Sequence, residues 1–134
     1  MPAEHTASGS PQDWLRYARS DLALARSRKQ RAMLYEHLCF HAQQVAEKAL
    51  KAVLVAHGIG FPKTHDLAFL MDALPSRLKV PPSLIVLPSL NRYAVQQRYP
   101  GEAAPVTSQD RKRAVQLAEE ALDWAEHIIP AKKA

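Results

Sequence analysis

Apolar residues recur at steps of three and four along most of the chain, with polar residues between them. This spacing places the apolar side chains on one face of an α-helix. No stretch alternates apolar β-branched residues with polar ones, as a half-buried strand would. The pattern is clearest from about Met33 to Ala56, where one stripe comprises Leu34, Leu38, Ala42, Val45, Ala49 and Val53. The chain is therefore predicted to be all-α.

Capping signals mark the first and last predicted helices. The first begins near Ser10, a capping residue followed by a proline and, three residues on, by Asp13. The last begins at Thr107, where Asp110 completes a second capping box, and it ends at Pro130. Both helices then carry apolar stripes of the α-helical period, so both are predicted to be long and amphipathic.

Glycine and proline divide the middle of the chain. Gly58 is a typical stop for the second helix, and Thr64 is the predicted N-cap of a short third helix that Pro75 ends. A fourth helix is predicted over about residues 83–97, with a kink or break at Pro88. Because the connections are short, we expect an up-and-down antiparallel bundle of four long helices and one short helix.

Length and composition fit a single soluble domain. The chain has 134 residues, within the usual size of one domain. We predict a disordered tail over residues 1–9 and a helical bundle over residues 10–130. Cys39 is the one cysteine, which excludes an internal disulfide and favours a reducing compartment. No apolar run is long enough to span a bilayer, and the N-terminus lacks the order of a signal peptide, so we expect a cytoplasmic protein without membrane contact.

A second, polar stripe on the second helix is the first candidate for chemistry. It comprises His37, His41, Gln44, Lys48 and Lys51, on the side opposite the leucine and valine stripe. Such a row can bind phosphates or line a cleft, and the formal charge of +5 permits an anionic partner. The alternative is an ordinary solvated helix face. His37 and His41 have a spacing that suits metal ligation, but two ligands are too few for a closed site, so no metal or cofactor is predicted.

Two further places carry reactive side chains. Arg98, followed by Tyr99 and a proline, presents a guanidinium suited to phosphate, or else it caps the end of a helix. His65 and Asp66 form a hydrogen-bonded pair or, alternatively, belong to a helix cap. Ligand binding is therefore predicted at His41, Gln44, Lys48, Lys51, Arg98 and Tyr99, and the candidate catalytic residues are Arg98 and His65.

The order of several short motifs resembles the HEPN domain family. They are Asp13-Trp14 on the first helix, the block from His41 to Ala52, Thr64-His65-Asp66-Leu67, and Leu90-Asn91-Arg92-Tyr93 followed by Arg98-Tyr99-Pro100. The resemblance spans roughly residues 12–129. It implies a helical bundle like the helical domain of kanamycin nucleotidyltransferase, and a homodimer. It also implies a minimal nucleotidyltransferase as partner, in pairs that behave as toxin–antitoxin modules.

Some members of that family are metal-independent endoribonucleases, marked by an arginine and, four to six residues later, a histidine in the later part of the bundle. Here no histidine follows Arg98 or Arg92 at that spacing, and the pair that has it, Arg31 and His37, lies at the junction of the first two helices. We therefore interpret the chain as a nucleotide- or phosphate-binding interaction module. The alternatives are a metal-independent endoribonuclease toxin acting on RNA, for which His65 or His41 would have to approach Arg98, and a non-catalytic structural adaptor. Exposed apolar residues, Tyr17 and Leu24 among them, favour some assembly.

Overall fold

The computed structural model describes residues 9–94 and 104–130, and these residues form helices and connections without a strand. The predicted all-α bundle is confirmed, while residues 1–8 of the predicted tail lie outside the described part. No helix within the described ranges is long and apolar enough to cross a membrane. The elements, in chain order, are α1 (Pro11–Ala25), α2 (Tyr35–Ala56), α3 (Leu67–Asp72), a 3₁₀ helix (Pro82–Tyr93) and α4 (Ser108–Ile128).

Both predicted capping boxes are present. Ser10 Oγ accepts a hydrogen bond from Asp13 N at 3.1 Å, and Asp13 Oδ2 accepts one from Ser10 N at 3.0 Å. Thr107 and Asp110 form the same reciprocal pair at the start of α4, at 3.1 and 2.9 Å. The backbone hydrogen bonds from Ser10 and Thr107 stabilise the ionised carboxylates and so lower the pKa of both aspartates.

Helix α2 is the centre of the bundle. It packs against α1 on one side and α4 on another, and the 3₁₀ helix and α3 cover a further part. Fourteen of its 22 residues are buried, including Gln43, Gln44, Glu47 and Lys51. The helix is therefore enclosed nearly all round, whereas its sequence pattern predicted one buried apolar stripe. Small side chains such as Ala42 and Ala49 are among its completely buried residues.

The fourth predicted helix is a 3₁₀ helix and not a kinked α-helix. Leu84, Leu87, Leu90 and Tyr93 are its buried residues, and their spacing is three throughout. This spacing matches the three residues per turn of a 3₁₀ helix, so the apolar side chains form one straight row. Pro88 lies inside the element without breaking it. Residues 95–97 of the predicted helix lie outside the described part.

In the connection from α2 to α3, the N-cap residue of α3 differs from the predicted one. Gly58 has φ +71°, the left-handed conformation that follows many helix ends, as predicted. Asp66, and not Thr64, is the N-cap of α3, because its Oδ1 accepts a hydrogen bond from Ala68 N at 3.0 Å. Thr64 Oγ1 instead accepts from Asp66 N at 3.1 Å and so shapes the turn before the helix.

Cys39 is completely buried. Burial raises the pKa of its thiol to about 11, and a hydrogen bond with the Tyr93 side chain only partly offsets this effect. The thiol is therefore protonated at neutral pH and acts as a small apolar core group.

At each pole of the bundle, side-chain hydrogen bonds join α1 to α4. At one pole, Arg111 Nη1 of α4 donates to the carbonyls of Ala25 and Ser27, at 2.9 and 3.1 Å, and so holds the end of α1. At the other pole, Gln12 Nε2 donates to the carbonyl of Pro130 at 3.2 Å, which joins the start of α1 to the end of α4.

Candidate functional site

The first half of the polar stripe on α2 contacts a carboxylate of α1. Asp21 is buried on α1. Its Oδ1 lies 3.0 Å from Nδ1 of His41, and its Oδ2 accepts a hydrogen bond from Nζ of Lys48 at 2.5 Å. The Lys48 ammonium also lies 5.9 Å from the centre of the Tyr17 ring. The charge of Lys48 is therefore balanced within the protein.

A second carboxylate, Glu47, organises the other half of the stripe. Its Oε2 accepts a hydrogen bond from Nζ of Lys51 at 2.8 Å. Its Oε1 accepts one from Nε2 of Gln44 at 3.1 Å and lies 2.8 Å from Nδ1 of His65. The Gln44 amide also donates to Oε1 of Gln43 at 2.7 Å. The cluster thus joins α2 to the turn before α3.

Two aromatic rings cover the Glu47 cluster at Lys51. The Lys51 ammonium lies 5.5 Å from the centres of both the Trp14 and the Phe61 rings. Only 8% of the Lys51 side chain and 3% of the Glu47 side chain are exposed. A buried ion pair of this kind depends on both partners, because removing one leaves an uncompensated charge.

Four predicted ligand-binding residues of α2 therefore have partners inside the protein. The solvated-face alternative is wrong for Gln44 and Lys51, which are buried, because α1 and the turn before α3 cover this side of α2. A role of His41, Gln44, Lys48 and Lys51 in ligand binding stays a prediction. Arg98 and Tyr99 lie outside the described residues, and so does the predicted approach of Arg98 to the stripe.

His65 is held with one edge of its ring towards the protein. Nδ1 lies against Glu47, and the His65 carbonyl accepts a hydrogen bond from Nε2 of Gln43 at 2.9 Å. The side chain is 68% exposed, which leaves Nε2 accessible. Its partner is Glu47 and not Asp66, which caps α3, so the capping interpretation of Asp66 is confirmed. Among residues 9–94 and 104–130, no three His, Cys, Asp or Glu side chains converge as metal ligands.

A second charged region lies at the pole where α1 ends and α2 and α4 begin, and we call it the basic end. Among the described residues it holds eight cations against three carboxylates, Glu36, Asp110 and Glu119. The cations are Arg26, Arg28, Lys29, Arg31, Arg92, Arg111, Lys112 and Arg113.

The electrostatics of Asp110 show that this region comes together from separate elements. The hydrogen bonds from Thr107 are the largest influences that lower the pKa of Asp110, and the charges of Arg92 and Arg113 lower it further. The end of the 3₁₀ helix therefore lies near the start of α4. In the described part of the chain, Arg26 is the one member of the eight with a carboxylate within ion-pair distance. The other seven, Arg28, Arg31, Lys112 and Arg113 among them, have none.

Tyr35, the first residue of α2, lies within this basic end. Its ring centre is 4.8 Å from Nζ of Lys29 and 5.9 Å from Cζ of Arg111. The Arg111 guanidinium is fixed by the two α1 carbonyls it donates to. Within the described ranges, Lys29 Nζ donates one hydrogen bond, at 3.3 Å to the carbonyl of the neighbouring Gln30. One cation on this ring is therefore anchored, while the other is held weakly.

An open groove of about 710 Å³ runs along the basic end between α1 and α4. Its lining includes Arg26, Ser108, Lys112 and Gln116, which all offer hydrogen-bond donors. Arg26 is partly neutralised, because its Nε donates to Oε2 of Glu119 at 2.6 Å. The groove thus presents cationic and neutral donors to solvent.

The sequence contains a signal for the basic end that its interpretation did not use. Two basic runs, over residues 26–31 and 111–113, stand out in the chain. The first run follows the end of a predicted helix, where the helix dipole favours cations. That the two runs share one pole, with an aromatic ring between them, depends on the antiparallel arrangement of α1 and α4.

This all-helical bundle matches the model of the HEPN domain over residues 11–128. Because the match covers most of the chain, the protein belongs to the HEPN domain family, as the resemblance of its motifs indicated.

Two solved structures are similar over nearly their whole length. TT1696 from Thermus thermophilus is 31% identical and superposes with a TM-score of 0.71, covering 87% of this chain and 96% of that chain. ST0689, an archaeal HEPN homologue, is 32% identical with a TM-score of 0.70, covering 91% of this chain and 99% of that chain. Among curated proteins, no significant match is found.

Proposed function

We propose that this HEPN protein is a binding and interaction module that holds a phosphate-bearing ligand, such as a nucleotide, at its basic end. The observation that carries the proposal is the excess of cations there, seven of which lack a carboxylate partner in the described part of the chain. Guanidinium and ammonium groups are the usual phosphate ligands in proteins. The positive end of the α4 dipole at Ser108 lies beside the same groove and adds to the attraction of an anion.

The polar stripe of α2 is not part of the proposed site. Lys48 and Lys51 each pair with a buried or nearly buried carboxylate, so an anion would have to compete with Asp21 or Glu47. Such competition is unfavourable because it leaves the carboxylate without its partner. A role of Arg98 and Tyr99 in ligand binding stays a prediction from the sequence.

Isothermal titration with ADP and with inorganic phosphate at low salt tests the proposal. The double variant Lys112→Ala/Arg113→Ala should weaken ADP binding at least fivefold, and Arg98→Ala should weaken it as well. The control is Lys63→Ala/Arg77→Ala, which removes two exposed cations elsewhere on the surface. Absence of binding to the wild-type protein, or equal weakening by both double variants, would refute the proposal.

We extend the proposal to the protein's assembly. The family resemblance supports a homodimer and a minimal nucleotidyltransferase partner in a toxin–antitoxin pair. Tyr17 and Leu24 support an interface on α1, because they are 53% and 47% exposed despite being large and apolar. Light scattering should give the mass of a dimer, and a nucleotidyltransferase encoded beside this chain should co-purify with it. A monomer at high concentration would contradict the homodimer. Absence of co-purification would contradict the nucleotidyltransferase partner.

The geometry of His65 favours a second candidate function, the metal-independent endoribonuclease. With Nδ1 against Glu47 and Nε2 accessible, this ring can take a proton from a ribose 2′-hydroxyl, whose oxygen then attacks the adjacent phosphorus and expels the 5′-oxygen. Incubation with total RNA in the presence of a chelator should then give cleavage that His65→Ala abolishes. No cleavage, or cleavage unchanged in His65→Ala, would exclude this candidate. If neither nucleotide binding nor cleavage is found, the structural adaptor remains.

A further inference from the structure

We infer that His37 and His41 of α2 form half of a binding site for a divalent transition-metal ion such as Zn²⁺, and that the same pair of a second copy of the chain supplies the other half. This inference rests on the homodimer proposed above, because one chain provides only two of the ligands that the ion needs.

The two imidazoles lie one turn apart on a continuous helix. His37 and His41 both belong to α2, and residues four apart on an α-helix lie on the same face, about 6 Å apart along its axis. His37 is exposed, and 30% of the His41 side chain is exposed. Both rings can therefore reach one ion at the surface of the helix. Imidazole is a ligand that suits Zn²⁺, Ni²⁺ and Cu²⁺.

The ring of His41 is oriented as a metal ligand. Its Nδ1 lies 3.0 Å from Oδ1 of Asp21, a carboxylate that also accepts a hydrogen bond from Lys48. Because a carboxylate only accepts hydrogen bonds, Nδ1 carries the proton and Nε2 keeps its lone pair. Metal-bound histidines commonly donate their second ring N–H to a carboxylate in this way, which fixes the ring and makes the ligating nitrogen more basic. The Phe40 ring, centred 5.5 Å from that of His41, packs against it as well.

Within one chain, the pair has accessible ligand atoms but too few of them. Among the described residues, the His37 ring makes no hydrogen bond, and no third His, Cys, Asp or Glu side chain joins the pair as a ligand. Zn²⁺ in a closed site takes four ligands in a tetrahedron. A second pair of the same histidines, related by a twofold axis through the ion, completes that number with identical ligands.

The exposed apolar surface of α1 lies beside the pair and favours a second copy there. Tyr17 and Leu24 lie one turn before and one turn after Asp21 on the same face of α1, and Asp21 contacts His41. Since α1 ends at the pole where α2 begins, Leu24 and His37 both lie on the same side of this contact. A twofold interface that buries Leu24 uses the same surface of both copies, so it also brings the two histidine pairs towards each other.

Isothermal titration of the full chain, purified without a histidine tag, with zinc chloride tests the inference. One Zn²⁺ should bind per two chains. His37→Ala and His41→Ala should each weaken binding about tenfold or more, because each variant removes two of the four ligands. The matched control is His127→Ala, which removes an exposed imidazole of α4 and should change the affinity less than twofold. No binding of zinc, or equal weakening by His127→Ala, would overturn the inference.

NMR spectra of the histidine side chains provide a second measurement, on the wild-type protein. The ring nitrogens of His37 and His41 should shift when zinc is added, while Nδ1 of His41 keeps its proton. The His127 ring should stay unchanged. Shifts confined to the other histidines would refute the assignment of the ligands.

Light scattering with zinc and with a chelator separates the shared site from the dimer itself. Zinc should raise the mean mass of a dilute, partly monomeric sample to that of a dimer, and the chelator should reverse the change. One zinc ion per chain, without any change in mass, would refute the shared site. A monomer under both conditions would refute the shared site and the homodimer together, whereas a dimer that binds no zinc would refute the inference alone.

Salt separates this site from the phosphate site of the proposed function. The cations of the basic end repel a metal ion and attract a phosphate, and salt screens both effects. Raising the salt concentration should therefore weaken ADP binding but not zinc binding. Zinc binding without ADP binding would leave the inference standing while the phosphate site fails. Loss of zinc binding at high salt would contradict the imidazole ligands.

Discussion

The stripe on α2 and the basic end contain the same kinds of cation, yet they differ in what surrounds them. In the stripe, Lys48 and Lys51 each lie within 2.8 Å of a carboxylate oxygen. At the basic end, Lys112 and Arg113 have no such partner in the described part of the chain. A row of cations on one helix therefore says little about ligand binding until the carboxylates of the neighbouring elements are known. The comparison assigns the cations of the stripe to stability, and it supports the proposal that those of the basic end bind a ligand.

The largest effect should come from removing a carboxylate of the stripe. Glu47→Ala leaves the buried Lys51 without its counter-charge, and we expect a loss of about 3–5 kcal/mol in the free energy of unfolding, measured by urea denaturation. The matched variant is Glu119→Ala at the basic end, whose partner Arg26 is half exposed, and it should cost about 1 kcal/mol or less.

A double variant sharpens this prediction. Glu47→Ala/Lys51→Met removes both charges of the buried pair and should recover a large part of the loss, because no charge is then left uncompensated. Similar costs for Glu47→Ala and Glu119→Ala would contradict the distinction between the two regions.

The second effect concerns Cys39, which is completely buried. Because its pKa rises from 9.0 to about 11 on folding, the folded state holds the thiol proton more tightly than the unfolded state. Stability is therefore fully present below pH 9 and falls as the pH rises from 9 towards 11. We expect Cys39 to contribute a loss of about 2 kcal/mol between pH 8 and pH 10.5.

The control for this effect is Cys39→Ala. Urea denaturation at both pH values should show a smaller loss in the variant, with a remainder that includes Tyr93, whose pKa is also raised by burial. An equal alkaline loss in the wild type and the variant would refute the role of the thiol.

A smaller effect is expected at the cap that orders the basic end. Thr107→Ala removes the acceptor for the Asp110 amide at the start of α4 and should cost about 1 kcal/mol at pH 7, by thermal unfolding. The lowered pKa of Asp110 means that its contribution is present above pH 3.8 and is lost as the pH falls through the folded-state value. In Asp110→Asn, this acid-dependent part should be absent; an unchanged acid dependence would contradict the assignment.

The smallest effect on stability should come from the cations assigned to recognition. Lys112→Ala/Arg113→Ala removes no ion pair within the described part of the chain, so the free energy of unfolding should change by about 0.5 kcal/mol or less. The same denaturation experiment measures it. A loss of several kcal/mol would show that these side chains support the fold, and it would contradict the difference in stability between the stripe and the basic end.

Most of the fold could be predicted from local signals. The capping boxes at Ser10 and Thr107 and the period of the apolar residues predicted α1, α2 and α4 with nearly their observed bounds. The type of the fourth helix was missed, although its strict three-residue spacing of leucines was present in the sequence. The prediction of a kinked α-helix relied on Pro88 and not on this spacing, because a proline inside an α-helix destabilises it.

The site was less predictable because it depends on contacts between distant elements. The helical wheel of α2 shows its cations, but the Asp21 carboxylate comes from α1 and His65 from the turn before α3. Glu47 was visible on the same helix, yet its burial follows from packing that the wheel does not contain. Likewise, Tyr35 gains its two cations only when α4 places Arg111 beside the end of α1.

The hydrogen bond between Gln12 and the Pro130 carbonyl has a practical consequence. The start of α1 and the end of α4 leave the molecule together, at the pole away from the groove. A fluorophore attached near Gln12 or Pro130 would therefore lie at the pole opposite the groove and would leave the cations there clear.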